Sequence, residues 1–325
     1  MGKASRYMSA VGTFGHKWYP EDIAGMLGLP AVGNVYYVDA GSGSDSADGR
    51  SIDRPKLTVA SAYASMTADQ DDVLVIMGSN ATGRTAESAA ITWAKRRTHV
   101  IGNGPRRMMT PRNGMATNYS GGSTTPLLTV SANNCSFTNL SISDFNDNDV
   151  LVEVTGEYNT FNNVHFQGIG HATPASEAGA RSLLLTTAGE NEFNNCVIGI
   201  DTVTRAAANA SLELTGSCPR NIFRGCLFPV YTSSADALWV KADTGNAFER
   251  FLIFEDCLFT NASLGSSTVM TIGMDLSATG NGQVYMRNSR WYGATDLTNT
   301  VTDVIQDSPT FDTNDQGLMT VHANS

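Results

Sequence analysis

The chain has few charged residues and no long apolar run. Only 16% of its 325 residues are charged, the formal net charge is −10, and the pI is about 4.9. An acidic chain does not attract the phosphate backbone by bulk electrostatics, so we expect no nucleic-acid partner. No apolar stretch reaches the roughly 20 residues that span a bilayer, and we expect no membrane partner. Residues 1–6, MGKASR, lack the apolar segment of a signal peptide, so we also expect no secretion leader.

Cysteines are few and none of them form a CxxC pair. A zinc site is therefore not predicted, and the odd number argues against a disulfide framework. We expect reduced cysteines that fill the core as small apolar groups, with no metal and no cofactor. The five are Cys135, Cys196, Cys218, Cys226 and Cys257.

A six-residue pattern recurs along the second half of the chain. It reads FTNLSI from residue 137, FNNVHF from 161, FNNCVI from 193, FRGCLF from 223, FEDCLF from 254 and MRNSRW from 286. The steps between these starting positions are 24, 32, 30, 31 and 32 residues. A near-constant period is the signature of a repeat architecture, and apolar-polar alternation around a short corner indicates strands. We predict an all-β solenoid of stacked parallel coils that forms one domain.

Stacking of the coils predicts two structural ladders inside the solenoid. The first is an inward column of Phe161, Phe193, Phe223 and Phe254. The second is a column of the cysteines at the fourth position of the pattern, Cys196, Cys226 and Cys257. The polar pair between the two positions marks a corner, because Asn tolerates the left-handed conformation.

The start of the repeat region carries an ordered set of short motifs. They are YVD at residues 37–39, GSD at 43–45, DG at 48–49, Pro55, TV at 58–59, Ala62 and DVLV at 72–75. This order resembles the N-terminal segment of the pectin-lyase-like proteins, in which a strand, a polar loop and a short helix cap the solenoid. The resemblance implies a single-stranded right-handed parallel β-helix with a short N-terminal cap helix. We assign residues 35–295 to the β-helix, 1–34 to an N-terminal arm and 296–325 to a C-terminal cap or tail, both without repeats.

The polar loop within this segment offers carboxylates for a calcium ion. Asp39, Asp45 and Asp48 are close in sequence, but their spacing does not match an EF-hand loop. Short acidic side chains also cap turns, and we expect a turn network here.

Enzymes with this fold act on sugars, so paired carboxylates are the first candidates for catalysis. Hydrolysis requires two of them about 5–10 Å apart. Glu153 and Glu213 lie in the alternating runs VEV and LEL, which point both side chains outward. His165 is also expected to point outward. The segment GIGH at 168–171 only faintly resembles the Gly-His-Gly segment of polygalacturonases, whose paired Asp motifs and Arg-x-Lys segment are missing, as are the calcium-ligand set of pectate lyases and the signatures of pectin esterases. We therefore predict no catalytic residue and no enzyme, with a glycoside hydrolase or polysaccharide lyase as the alternative.

Two groups of residues are candidates for attachment to a partner. Tyr7, Phe14 and Trp18 make the arm rich in aromatic residues, which anchor interfaces. Arg96, Arg97 and Arg107 belong to the single basic cluster of the sequence and suit an acidic neighbouring subunit. The alternatives are an arm that covers the first coil and a solvated strand edge.

The whole chain resembles the β-helix structural proteins of tailed bacteriophages, particularly the homotrimeric kind that decorate capsids. The resemblance implies a non-enzymatic virion protein on the capsid exterior, a homotrimer that binds and stabilises the major capsid protein shell. The alternative is a tailspike or tail-fibre module that binds or cleaves a host surface polysaccharide. A secreted carbohydrate-active enzyme is disfavoured by the missing leader and motifs.

Overall fold

The protein is a parallel β-helix built from two sheets. Its computed structural model describes residues 20–29, 31–104, 113–119, 125–261, 267–277, 282–299 and 304–306. The larger sheet, sheet A, has 16 strands, and the smaller, sheet B, has 8. Neighbouring strands come from successive coils and pair in parallel, so the solenoid predicted from the sequence period is confirmed.

The elements are numbered in chain order. The helices of the described residues are α1 (Pro20–Leu27), α2 (Val59–Ser65) and α3 (Ala172–Ala175). The main path of sheet A is β1 (Val35–Val38), β2 (Asp72–Ile76), β5 (Thr98–Gly102), β8 (Ser136–Ser143), β10 (Thr160–Gln167), β12 (Glu192–Asn194), β15 (Asn221–Arg224), β18 (Phe251–Glu255), β21 (Gln283–Arg287) and β24 (Val304–Gln306).

Sheet A has a second set of strands beyond a corner. These are β3 (Arg84–Glu87), β6 (Gly114–Thr117), β13 (Val197–Ile198), β16 (Leu227–Val230), β19 (Leu258–Asn261) and β22 (Arg290–Tyr292). Sheet B comprises β4 (Ile91–Trp93), β7 (Leu128–Val130), β9 (Val150–Val154), β11 (Arg181–Thr186), β14 (Ala210–Thr215), β17 (Leu238–Lys241), β20 (Met270–Asp275) and β23 (Ala294–Thr298).

The corner within sheet A is made by one residue per coil in the left-handed conformation. Asn195 has a φ of 53° and Gly225 a φ of 61°. Both residue types reach this region at low cost, which explains the polar third position of the repeat. The other members of this row are Asn139, Asn163, Asp256 and Asn288.

The phenylalanines of the repeat stack face to face in the core. Phe193 pairs in register with Phe161 and with Phe223, and all three are fully buried. The ring centroids are 4.8 Å apart for Phe161 and Phe193 and 4.5 Å apart for Phe193 and Phe223. Phe254 continues the column at 5.2 Å from Phe223, and Phe137 begins it. Such aromatic pairs stabilise by more than their buried area alone.

Buried asparagines form a further ladder, in addition to the phenylalanine and cysteine columns predicted from the sequence. The backbone N–H of Asn159 donates to Asn191 Oδ1 at 2.9 Å, and that of Asn191 donates to Asn221 Oδ1 at 3.0 Å. The side-chain amide of each asparagine donates to a backbone carbonyl oxygen of the preceding coil. The ladder satisfies backbone groups at a buried corner, where an unpaired group is costly.

Helix α2 closes the N-terminal end of the core, as the resemblance implies. Val59, Ala62 and Met66 pack against Leu74 and neighbouring core residues. The carboxylate of buried Glu87 accepts the N–H groups of Val59 and Ala60 at the start of the helix. At its end, Lys95 Nζ donates to the carbonyl oxygens of Tyr63, Ala64 and Met66. The first N–H groups of the helix thus face a carboxylate, and its last carbonyl groups face an ammonium group. These are the charges that stabilise each end of a helix.

Helix α1 and strand β24 lie at the limits of the predicted repeat region. Ile23 of α1 packs against Val35, Val73 and Val75, which face away from the main core. The helix therefore covers the outside of the first strands. At the other end, β24 pairs with β21 at residues 304–306, so the parallel ladder extends past residue 295. Strand pairing there depends on backbone hydrogen bonds, which a pattern of side chains does not encode.

Candidate functional site

The acidic candidates Glu153 and Glu213 lie in one row of sheet B with Leu184 between them. Their strands are in the register Glu153, Leu184, Glu213, which separates the two backbones by two strand spacings, about 10 Å. Glu213 accepts a hydrogen bond from Arg181 Nε at 2.6 Å and lies 3.5 Å from Lys241 Nζ. Glu153 accepts from Thr186 Oγ1 at 2.8 Å. Both carboxylates make contacts between neighbouring coils. Their role in the described structure is therefore to join the strands of sheet B.

His165 points away from the core, as the alternation of the sequence predicts, but it is buried. It alternates with the core residues Val164 and Phe166 and therefore points away from the core, yet only 1% of its surface is exposed. Its Nε2 lies 3.0 Å from the carbonyl oxygen of Gly199, which only accepts, so Nε2 carries the proton. Nδ1 accepts from Gln167 Nε2 at 2.9 Å. With both nitrogens occupied, the ring has no lone pair free to act as a base.

The ring of His165 belongs to a polar network on the outside of β8 and β10. Arg84 Nε donates to Ser141 Oγ at 3.0 Å, and Arg84 Nη2 donates to Gln167 Oε1 at 3.3 Å. Ser143 Oγ donates to the same Gln167 oxygen at 2.8 Å. Burial lowers the pKa of His165 to about 4, with a smaller contribution from the charge of Arg84. The imidazole is neutral at physiological pH and fixes the amide of Gln167.

Asp144 is the acidic group next to this network. Its Oδ1 accepts from Thr117 Oγ1 at 2.6 Å and from the backbone N–H of Asn146 at 3.0 Å. Burial raises the pKa of Asp144. The following residue, Phe145, is half exposed, and the guanidinium of Arg84 lies 5.5 Å from its ring centroid. This pair is a cation–π contact at the surface.

The basic candidates are neutralised by neighbouring carboxylates. Arg96 Nη2 lies 2.9 Å from Asp69 Oδ2, and Arg97 forms an ion pair with Asp71. The contact with Asp71 raises the pKa of Arg97. The patch therefore carries less net positive charge than the sequence suggests. Arg107 lies outside the described residues, as do Tyr7, Phe14 and Trp18 of the arm.

The carboxylates of the polar loop accept hydrogen bonds from nearby hydroxyl and backbone N–H groups. Asp39 accepts from Ser42 Oγ at 2.6 Å and from the backbone N–H of Ser79 at 3.0 Å. Asp45 accepts from the N–H groups of Leu57 and Thr58. In the part of the chain that the structure describes, no group of three or more His, Cys, Asp or Glu side chains is arranged to hold a metal ion. Within the same residues, no helix is long and apolar enough to cross a membrane.

Comparison with known proteins identifies the class of fold. No protein-family model and no curated protein matches the chain. The solved structure of Geobacillus virus E2 ORF18 is similar with a TM-score of 0.53 and 13% identity, over 85% of this chain and 51% of that chain. The chain thus spans about half the length of that viral protein. Pectin methylesterase PemA from Erwinia chrysanthemi is similar with a TM-score of 0.50 and 14% identity, over 83% of this chain and 92% of that chain.

Identities this low show the fold alone. The chain is an all-β protein with a parallel β-helix fold, which confirms the fold class that the sequence predicts. Proteins with a similar fold include enzymes, and a shared solenoid does not transfer their chemistry.

Sequence reasoning missed the asparagine ladder and a buried arginine, Arg205. The signal for the ladder was present, because Asn159, Asn191 and Asn221 each precede a core phenylalanine by two residues. Arg205 lies in a loop without repeats, and nothing in its neighbours along the chain indicates burial.

Proposed function

We propose that the chain is a non-enzymatic structural protein of a virion, a homotrimeric decoration protein that binds and stabilises the major capsid protein shell from outside. The observation that carries the proposal is the state of the acidic candidates. Glu213 is paired with Arg181 and Lys241, and Glu153 is bonded to Thr186, so both carboxylates join neighbouring coils. This is a structural role.

The architecture of the core also supports a mechanical role. Each coil is tied to the next by parallel backbone pairing, by the phenylalanine column and by the asparagine ladder. Stability in such a stack is approximately a sum of the coils and their contacts, which suits a rigid rod. The viral protein ORF18 has a similar fold over 85% of this chain, which supports a viral context for the proposal.

Attachment is assigned to the arm residues Tyr7, Phe14 and Trp18 and to the exposed pair Arg96 and Arg97. The packing of α1 decides how many residues can be deleted in a test of the arm. Removal of residues 1–18 spares α1, whose Ile23 is packed against the outer face of the first strands. Loss of capsid binding then reports on attachment and not on unfolding.

The experiment measures mass and binding with purified protein. Sedimentation equilibrium should give a trimer, and the protein should pellet with capsids that lack it and raise the temperature at which they release DNA. Deletion of residues 1–18 should abolish pelleting and leave the melting temperature of the β-helix unchanged. Arg96→Gln with Arg97→Gln should weaken pelleting, whereas Arg54→Gln, at an exposed ion-paired arginine, should not. A monomer that does not pellet with capsids overturns the proposal.

Binding or cleavage of a host surface polysaccharide is the second candidate. The half-exposed ring of Phe145 beside Arg84 favours binding, because sugar rings stack on exposed aromatic side chains. A glycan array, with Phe145→Ala as the test and Tyr158→Ala as the control, separates this role from the first. A reducing-sugar assay on bound glycans, repeated with Glu153→Gln and Glu213→Gln, detects cleavage.

A further inference from the structure

One outward row of side chains on sheet A changes from apolar to polar and back to apolar along the solenoid. Its members come from nine neighbouring strands, β1 to β21, and are paired in register. Each of them directly precedes a residue of the main core, so the alternation of the strands places the row on the outer face. The row consists of Val35, Val73, His99, Ser136, Thr160, Glu192, Ile222, Ile253 and Tyr285.

The first apolar stretch of this row is covered by the chain itself. Val35 and Val73 are buried and pack in one cluster with Ile23 of α1. The middle of the row is polar, and Thr160 and Glu192 there are partly exposed. On this face, apolar side chains therefore lie where another element covers them, and polar side chains lie where water does.

The last stretch of the row is apolar, but it is not covered in the same way. Ile222, Ile253 and Tyr285 are each partly exposed. Within the described residues, none of the three belongs to an apolar cluster of the kind that α1 completes at the other end. The pattern of the face indicates that a further surface packs against these three side chains, which we call the Ile253 face.

A second apolar face begins on the other side of the corner row that contains Gly225. There Leu227 pairs in register with Leu258, and Tyr292 pairs with Thr260, two residues after Leu258. Leu258 is 42% exposed and Tyr292 is 53% exposed. We call Leu227, Leu258 and Tyr292 the Leu258 face. Adjoining exposed apolar side chains of this kind mark interaction surfaces, and the last coils carry one on each side of a single corner.

We propose that the Ile253 face of one copy packs against the Leu258 face of a second copy of this chain. The proposal rests on the homotrimer of the proposed function and assigns its contact surface. Because the two faces differ, the contact is heterologous, and such contacts close into a ring when the rotation between copies fits. Three copies that place this corner at a common axis bury both faces of each copy.

Two properties of the faces favour a copy of this chain as the partner. Both faces present side chains at the strand spacing of about 4.8 Å, and a parallel copy repeats that spacing. The charge also fits, because the chain has a net charge of −10 but its corner carries Arg224 and Arg287 on either side of Glu255. Glu255 lies 3.2 Å from a nitrogen of each arginine. A locally cationic rim lets a second acidic chain approach, and arginine is enriched at interfaces.

The test is the mass of the full-length chain by sedimentation equilibrium. Ile253→Arg and Leu258→Arg should each weaken trimer association by at least about tenfold, because the contact would bury an unpaired charge. Thr160→Arg is the matched control, since it adds the same charge in the polar middle of the same row, and it should leave the trimer intact. Circular dichroism should show the same β content in all three variants, because the three positions face outward.

The outcomes separate this proposal from the proposed function. A trimer that persists in both Ile253→Arg and Leu258→Arg overturns the contact surface and leaves the trimer of the proposed function standing. A wild-type chain that is monomeric overturns both.

Disulfide cross-linking tests the same contact while the trimer is intact. All five native cysteines are buried, so only introduced thiols should react. Oxidation of the double variant Ile253→Cys with Leu258→Cys should give covalent trimers on a non-reducing gel, whereas Thr160→Cys with Leu258→Cys should not. Two results contradict the proposal: single chains only, or links that form only after deletion of residues 307–325, which would assign the faces to that segment.

Discussion

The Sγ atom of Cys226 lies 3.3 Å from the carbonyl oxygen of Phe193, one coil earlier. The same contact joins Cys196 to Phe161 at 3.3 Å and Cys257 to Phe223 at 3.4 Å. In the following coil Ser289 takes the place of cysteine, and its Oγ lies 3.1 Å from the carbonyl oxygen of Phe254. In these four coils the fourth position of the repeat thus carries a small side chain that donates to the preceding coil. The two earlier coils have the apolar residues Leu140 and Val164 there.

The thiols of this column should be unreactive in the folded protein. Burial raises the pKa of Cys226 and of Cys257 well above the usual range, and the reactive form of cysteine is the thiolate. All five cysteines are free and buried. We expect a thiol reagent at pH 8 to modify none of them in buffer and all five in guanidinium chloride. Rapid modification of Cys226 in buffer would show that the coils open.

Replacement of Phe193 by alanine should destabilise the solenoid by about 3–5 kcal/mol. The ring is fully buried between Phe161 and Phe223, so its removal leaves a cavity and breaks the column. Urea denaturation measures the loss. Ser176→Ala, at an exposed loop residue, is the control and should change stability by less than about 0.5 kcal/mol. Equal midpoints for the two variants would contradict the inward position of Phe193.

Replacement of Asn191 by alanine should cost about 2–5 kcal/mol, because it leaves two buried backbone groups unsatisfied. These are the N–H of Asn159, which donates to Asn191 Oδ1, and the carbonyl of Gly156, which accepts from Asn191 Nδ2. Asn194→Ala is the matched control. Its amide donates to Asn162 Oδ1 at a half-buried position, where water replaces the lost bond. A cost at Asn194 as large as that at Asn191 would contradict the distinction between the two asparagines.

The protein should become less stable as the pH is lowered, because His165 binds a proton more readily in the unfolded chain. Its pKa is lowered from 6.5 to about 4 in the folded state, mainly by burial, so the unfolded chain binds more protons between these values. Stability contributed by the neutral ring is complete above about pH 6.5 and is lost as the pH falls toward 4, by about 3 kcal/mol in total. Denaturation of the wild type and of His165→Gln between pH 4 and pH 7 isolates this contribution. His171→Gln, at an exposed histidine, leaves His165 in place and should keep the loss of stability assigned to His165.

The repeat pattern was sufficient to predict the solenoid because the pattern is local and recurs. Alternation at residues such as Phe193 and Ile198 fixes which side faces the core, and Asn195 fixes the corner through its left-handed backbone. The register of the coils then follows from the spacing of identical positions. The side-chain pattern fades near residue 295 and predicts the end of the repeats there, whereas β24 continues the backbone ladder.

The candidate residues were harder to evaluate from the sequence. Alternation correctly directs His165 away from the core, but its burial depends on contacts with other coils. Gly199 bonds to its ring from the next coil, and Arg84 of an earlier coil bonds to Gln167, its neighbour on the same strand. The partners of Glu213, Arg181 and Lys241, come from the coils on either side. Ion pairing of this kind depends on register between coils.

The sequence by itself determined the all-β solenoid, its period, its corner residues and the positions of its core phenylalanines, because each follows from a short periodic pattern. Only the tertiary structure decided which polar residues are buried and with which partners. Arg205 and His165 show the reason: their surroundings are built by loops of irregular length folding over neighbouring strands, and no period along the chain encodes that arrangement.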